Sequence, residues 1–171
     1  GAVLLCRREA AARLWSGGCD GLVRLWDATV GTSFPVASCP LSPRVWVRHL
    51  ECTEHGGLVV ASHSDGVAFL DSREATAVLH VRGQGQAYSA CAPGHALGTL
   101  AHTLLVCLGH RLVYYDLRCL GMHSNGPPIL QEWKLPTTAV GLDAVSSAGL
   151  STTGDFLAVA GCKGGETVFV A

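Results

Sequence analysis

The chain alternates apolar runs with glycine-rich breaks, and the pattern repeats. Leu14-Trp15 runs into Ser16-Gly17-Gly18-Cys19-Asp20-Gly21, and Leu22-Val23-Arg24-Leu25-Trp26-Asp27 follows. An apolar segment, a Gly/Asp turn and a second alternating segment predict a β-hairpin. The same shape returns over Leu58–Asp71 and Leu104–Asp116, and more weakly over Phe156–Val170. Asp27, Asp71 and Asp116 close three of these copies, 44 and 45 residues apart. The fourth copy ends at Ala171, 55 positions beyond Asp116, which implies a loop insertion in Met122-His123-Ser124-Asn125-Gly126-Pro127-Pro128.

Period-two patterning without a sustained helical stripe predicts strands throughout. The most helix-like piece, Arg7 to Leu14, is too short to stand as a domain element, and the repeat overrides its local propensity. Two further strands are expected in each period. Val45-Trp46-Val47 and Thr76-Ala77-Val78-Leu79 are the innermost and outermost strands of the second unit. Tyr88-Ser89-Ala90-Cys91 and Ile129-Leu130-Gln131-Glu132-Trp133 play those parts in the third, and Val140–Val145 opens the fourth. The predicted fold is all-β, with about four antiparallel four-stranded units over residues 1–37, 43–82, 86–134 and 138–171.

Composition narrows the class. With 49% hydrophobic and 15% charged residues among 171, the chain buries a core and is not a disordered tail. Twelve basic against 13 acidic side chains leave a formal net charge of −1, so neither direct nucleic-acid binding nor an anionic membrane surface is expected. Residues 87–110 hold no Asp, Glu, Lys or Arg, yet Pro93, Gly94, Gly98 and Gly109 break the stretch too often for a membrane span. The eight cysteines include no Cys-x-x-Cys pair, and a chain this apolar does not need staples. Reduced thiols in a cytoplasmic or nuclear compartment are expected.

The tract Ser16 to Asp27 resembles the WD-repeat (WD40) β-propeller family, and three copies at one period strengthen the resemblance. The resemblance implies a hydrogen-bonded lock in each blade, built from a Ser/Thr, a turn Asp, a strand Trp and an upstream His. Ser16, Asp20 and Trp26 match three of those places, and Ser62 and Asp65 match two in the second copy, where Leu70 replaces Trp. The third copy has neither Asp nor Trp at the matching positions. Leu105-Val106-Cys107-Leu108-Gly109-His110-Arg111-Leu112-Val113-Tyr114-Tyr115-Asp116-Leu117-Arg118 also resembles the spindle-checkpoint and mRNA-export propellers. Cys162-Lys163-Gly164-Gly165-Glu166 departs from the acidic-Gly-Arg turn of that subfamily.

The candidate chemistry reads as structure rather than catalysis. Asp27, Asp71 and Asp116 fall in different repeats, so they are turn caps and not an acid/base pair. His49, Cys52, Glu54, His55 and His63 have ligand types but no second Cys/His pair, and solvated turn residues are the favoured reading. No Gly-x-Ser-x-Gly elbow is present, and Gly161–Gly165 lacks the Gly-Lys-Ser/Thr of a phosphate loop. No catalytic residue, metal or cofactor is expected. In a propeller, the loops from outer to inner strands and the turns between second and third strands emerge on one face, where function gathers. Arg44, His63, Tyr88, His110, Arg111 and Lys163 are the candidate partner-binding residues there. The expected function is a non-catalytic scaffold for a peptide or protein partner; a structural subunit of a large multiprotein complex is the alternative, and the subfamily resemblance implies a checkpoint/mRNA-export-type propeller adaptor as a further one.

Overall fold

The computed structural model describes residues 2–8, 11–31, 33–53, 57–82, 87–91, 102–109, 111–120, 127–134, 144–150, 157–163 and 166–170. For residues 2–8, 11–12, 87–91, 144–150, 157–159, 161–163 and 166–170 it describes the backbone path alone. Three four-stranded antiparallel sheets and one three-stranded sheet follow one another along the chain. The first holds β1 (Ala2–Arg8), β2 (Ala11–Gly17), β3 (Leu22–Asp27) and β4 (Ala37–Pro40). The second holds β5 (Val47–Cys52), β6 (Leu58–His63), β7 (Gly66–Asp71) and β8 (Ala77–Arg82). The third holds β9 (Ala87–Cys91), β10 (Thr103–Leu108), β11 (Arg111–Asp116) and β12 (Ile129–Lys134), and the fourth β13 (Ala144–Leu150), β14 (Leu157–Lys163) and β15 (Glu166–Val170). Among the described residues the helical structure is a 3₁₀ turn at Leu117–Cys119, and no helix is long and apolar enough to cross a membrane.

Within each sheet the strands pair in sequence order, and β1, β5, β9 and β13 adjoin one another in turn. Those inner strands gather about a common axis while the sheets radiate outward, which is the architecture of a β-propeller. The second blade packs on both faces. Trp15, Val23 and Leu25 of the first blade pack against Leu50, Val59, Ala61, Ala68 and Leu70 of the second. Val60, Val67, Phe69 and Val81, on the opposite face of the second blade, meet Leu104, Val106, Leu108, Val113 and Tyr115 of the third. Such two-sided burial covers β6 along its whole length and β7 as far as Leu70.

The Arg7–Leu14 region is extended, with Arg8 at the end of β1 and Ala11 opening β2. Val45 and Trp46 precede β5, which starts at Val47 and runs to Cys52. His49 and Cys52, read from sequence as solvated turn residues, therefore lie on an inner strand, and His55 lies outside the described residues. The first sheet continues to Pro40, past residue 37. Of the proposed insertion at 122–128, residues 122–126 lie outside the described residues, as do 135–143 ahead of β13.

Asp27, Asp71 and Asp116 all end third strands and all act alike. Each Oδ1 accepts the backbone N–H two residues on: Thr29 at 2.8 Å, Arg73 at 2.8 Å and Arg118 at 2.9 Å. Asp71 and Asp116 also hold the guanidinium of the same downstream arginine, at 2.8 and 2.6 Å. Those arginine hydrogen bonds bring both carboxyls down to a pKa of about 2. The three carboxylates cap three separate turns on one rim.

Candidate functional site

The opposite rim is formed by the β2–β3 turn, the β6–β7 turn and the loop 41–46 that joins the first blade to the second. Val47 N–H donates to Gly18 O at 3.0 Å, and Leu41 N–H to Gly21 O at 2.9 Å, tying the loop to the first blade's turn. Ser64 N–H donates to Trp46 O, and Trp46 N–H donates to Ser64 Oγ, both at 3.1 Å, tying it to the second. Arg82 Nη2 reaches Leu41 O at 3.0 Å from the end of β8. Gly21 has a φ of 74° and lies so close to the Ser42 carbonyl that a Cβ there would collide with it. This rim is a rigid seam between two blades.

Trp46 stands out on it. The indole is 58% exposed although its neighbours Val45 and Val47 are buried at 5% and 3%. Arg44 and Arg48 are exposed as well. Arg48 falls where the β5–β6 register shifts between Val47 and His49, and a bulge re-aims the side chain it carries. Sequence reading placed Trp46 in a strand and did not single it out; the apolar-Trp-apolar alternation, Val45-Trp46-Val47, was the available signal.

The sequence-derived partner residues separate into distinct situations. Arg44 is exposed in the 41–46 loop. His63 is 1% exposed at the end of β6, so it is part of the packed seam rather than an accessible contact. Its Nδ1 accepts the Asp65 N–H at 3.2 Å, while buried Nε2 finds no hydrogen-bond partner among the described residues. Desolvation, reinforced by nearby His80 and Arg82 and opposed by Asp65, lowers the His63 pKa to about 4. Arg111 opens β11 half-buried and pairs with Glu132 of β12 at 3.3 Å. Tyr88 lies on inner strand β9 and Lys163 ends β14 opposite Glu166; their side chains, like all of His110, lie outside the described residues.

The lock residues also divide. Trp26 Nε1–H donates to Ser16 Oγ at 2.9 Å, diagonally across β2 and β3. Asp20 is not in that network. It is exposed, and its carboxylate accepts from Arg24 Nη2 at 2.5 Å and Leu22 N at 3.1 Å, with Arg24 holding it below the usual carboxylate range. In the second blade Leu58 pairs Asp71 as Arg13 pairs Asp27, so Ala61 occupies the place of Ser16 and Leu70 that of Trp26. Ser62 is one residue out of step. Period-two alternation turns it to the other face, beside Val60 and Val67, where its buried Oγ has no hydrogen-bond partner among the described residues. Asp65 is exposed in the two-residue turn. The assignment of Asp20, Ser62 and Asp65 to a buried lock is therefore corrected: the β2–β3 turn is longer than the β6–β7 turn, and aligning the turns rather than the strand ends shifts the register.

No group of three or more His, Cys, Asp or Glu side chains among the described residues could hold a metal ion. No family model matches the sequence, and no curated protein matches it. Solved structures do match in fold. Sqt1 from Chaetomium thermophilum superposes with a TM-score of 0.72 at 18% identity, over 92% of this chain and 40% of that one. The same protein bound to the N-terminus of the ribosomal protein L10 gives 0.71 at 18% identity with the same coverage. A chain of the mitotic checkpoint complex gives 0.66 at 19% identity, over 87% of this chain and 42% of that one. These are WD40 propellers, and this chain has their fold. It spans about two fifths of the length of the solved chains it matches.

Proposed function

We propose that the chain is a non-catalytic scaffold that docks a peptide or protein partner on the rim formed by the 18–21 turn, the 41–46 loop and the 63–66 turn. One observation carries the reading: a large aromatic side chain, Trp46, is held in solvent on backbone hydrogen-bonded to both adjacent blades. Exposed aromatics on preorganised backbone are the side chains that dominate interface energies. Asp27, Asp71 and Asp116 on the opposite rim are engaged in turn capping, in three separate blades, which does not favour a paired acid/base site. A propeller of this fold holding the N-terminus of a ribosomal protein, and another within a checkpoint complex, support a protein-binding role, including the checkpoint-type adaptor reading. Cys19, Cys39 and Cys119 are free thiols, which supports a reducing cytoplasmic or nuclear setting.

A second reading has its own observation. On the opposite rim the β3–β4 loop exposes Val30 at 64%, Phe34 at 80% and Val36 at 63%, as a subunit packed into a larger assembly would. A photocrosslinking residue placed at position 65 or at position 34 separates the two. The scaffold reading expects adducts to one recurrent protein from position 65, lost when Arg44 is replaced by Glu. Adducts confined to position 34 would favour the assembly subunit and sink the first reading.

A further inference from the structure

Equivalent residues of successive blades record which sheet faces a neighbour covers. Aligned by their turns, Val60, Leu105 and Ala160 hold one position, and the strand ends put Trp15 there in the first blade. Trp15, Val60 and Leu105 are fully buried, whereas Ala160 of the fourth blade is half-buried. On the other face Ala61 and Val106 are fully buried, whereas Ser16 of the first blade is half-buried. The two departures fall on the outward faces of the first and last sheets. β13 makes no comparable approach to β1 among the described residues, so neither sheet covers the other.

The outward face of the first blade is suited to a cover. Leu14, Ser16, Arg24 and Trp26 occupy the places of Val59, Ala61, Ala68 and Leu70, which the first blade itself buries. Val36, bonded through its N–H to Leu25 O beside Trp26, is 63% exposed. The polar groups of this face are already paired: Trp26 Nε1–H donates to Ser16 Oγ, and Arg24 Nη2 donates to the Asp20 carboxylate. Covering the face removes apolar surface from water while the indole N–H stays satisfied and the Arg24 charge stays paired. The fourth blade offers the complementary face. β15 sets Phe169 opposite Ala160 as β7 sets Phe69 opposite Val60, and the Val60–Phe69 face is the one that the next blade covers.

One chain thus carries both halves of a blade-to-blade contact. We infer that the Leu14–Ser16–Trp26–Val36 face of the first sheet docks a second copy of this chain, which seats its β13–β15 sheet there. The contact is head to tail, and it closes when each copy's fourth sheet meets the other's first. Two copies of four sheets supply eight, within the range of propeller rings. This surface is a sheet face and leaves the Trp46 rim free for a partner.

Light scattering and sedimentation equilibrium of the chain at micromolar concentration are expected to show a dimer. A photocrosslinking residue at position 38, exposed on β4 opposite Arg24, locates the contact in a mixture of isotopically light and heavy chains. The expected adducts join position 38 of one copy to residues 157–170 of the other. The Val36→Asp/Ser38→Glu variant alters two exposed positions and is expected to raise the dimer dissociation constant about tenfold or more, with an unchanged circular dichroism spectrum. If that spectrum changes, the adduct map alone decides. A monomer overturns the inference, as do adducts to 157–170 within one chain, which would mean that the four sheets close on themselves. A dimer crosslinked through the first sheet of both copies, or one indifferent to the double variant, overturns the head-to-tail seating. Open-ended oligomers overturn the closed pair.

Discussion

The first and second blades solve one packing problem in two ways. In the first, the structurally equivalent pair is Ser16 and Trp26, half-buried and joined by a hydrogen bond. In the second it is Ala61 and Leu70, both fully buried against Trp15 and Leu25 of the blade before. In the third, Val106 and Tyr115 fill the same places and pack on Phe69 and Val67. A polar bond and an apolar plug thus serve the same site. Where a neighbouring blade covers the face, burying carbon does the stabilising, and the net gain from one exchanged hydrogen bond is small by comparison.

Breaking the apolar version is expected to have the largest effect. Leu70→Ala opens a cavity between the first two blades and should cost about 2–5 kcal/mol in urea unfolding. A loss near that of an exposed site would mean the blades do not pack as described.

The second effect is pH-dependent and also belongs to the covered seam. Folding lowers the His63 pKa to about 4, against an ordinary value of 6.5. Between these values the unfolded chain binds a proton that the folded chain excludes, so stability falls as pH drops from 6.5 toward 4. The expected loss is on the order of 2 kcal/mol, and His63→Gln should flatten that window. Asp71 and Asp116 titrate lower still, so their contribution fades only in stronger acid. A wild-type stability curve flat from pH 6.5 to 4 would count against a desolvated imidazole.

Trp26→Phe keeps an aromatic side chain, smaller than the indole, and removes the donor to Ser16, which should cost about 1 kcal/mol by thermal or urea unfolding. A loss as large as that of Leu70→Ala would show the polar lock to be more than a substitute for packing. Smallest of all, Ser62→Ala removes a buried hydroxyl with no hydrogen-bond partner among the described residues. It should be neutral or stabilising by about 0.5 kcal/mol; clear destabilisation would reveal a partner for that oxygen.

The hairpins at Leu14–Asp27, Leu58–Asp71 and Leu104–Asp116 were readable because turn chemistry and period-two alternation are local properties. The capping role of Asp27, Asp71 and Asp116 was readable for the same reason, since each bonds two residues downstream. The lock in the second blade was misread. A turn that differs in length by a few residues leaves the motif recognisable and yet moves Ser62 to the opposite face. His63 carried a loop-like polar signature and proved to be buried at the end of β6. Trp46 went unnoticed because an aromatic in an apolar run usually means core.

Sequence alone determined that this chain is a repeated antiparallel sheet unit, since hairpin signals act between residues close along the chain. Tertiary structure decided which face of each strand is covered, which polar groups are stranded inside and which aromatic is left in solvent. Those outcomes depend on neighbouring blades separated by about a full repeat, and nothing in a strand's own alternation says which of its two faces the next blade will take.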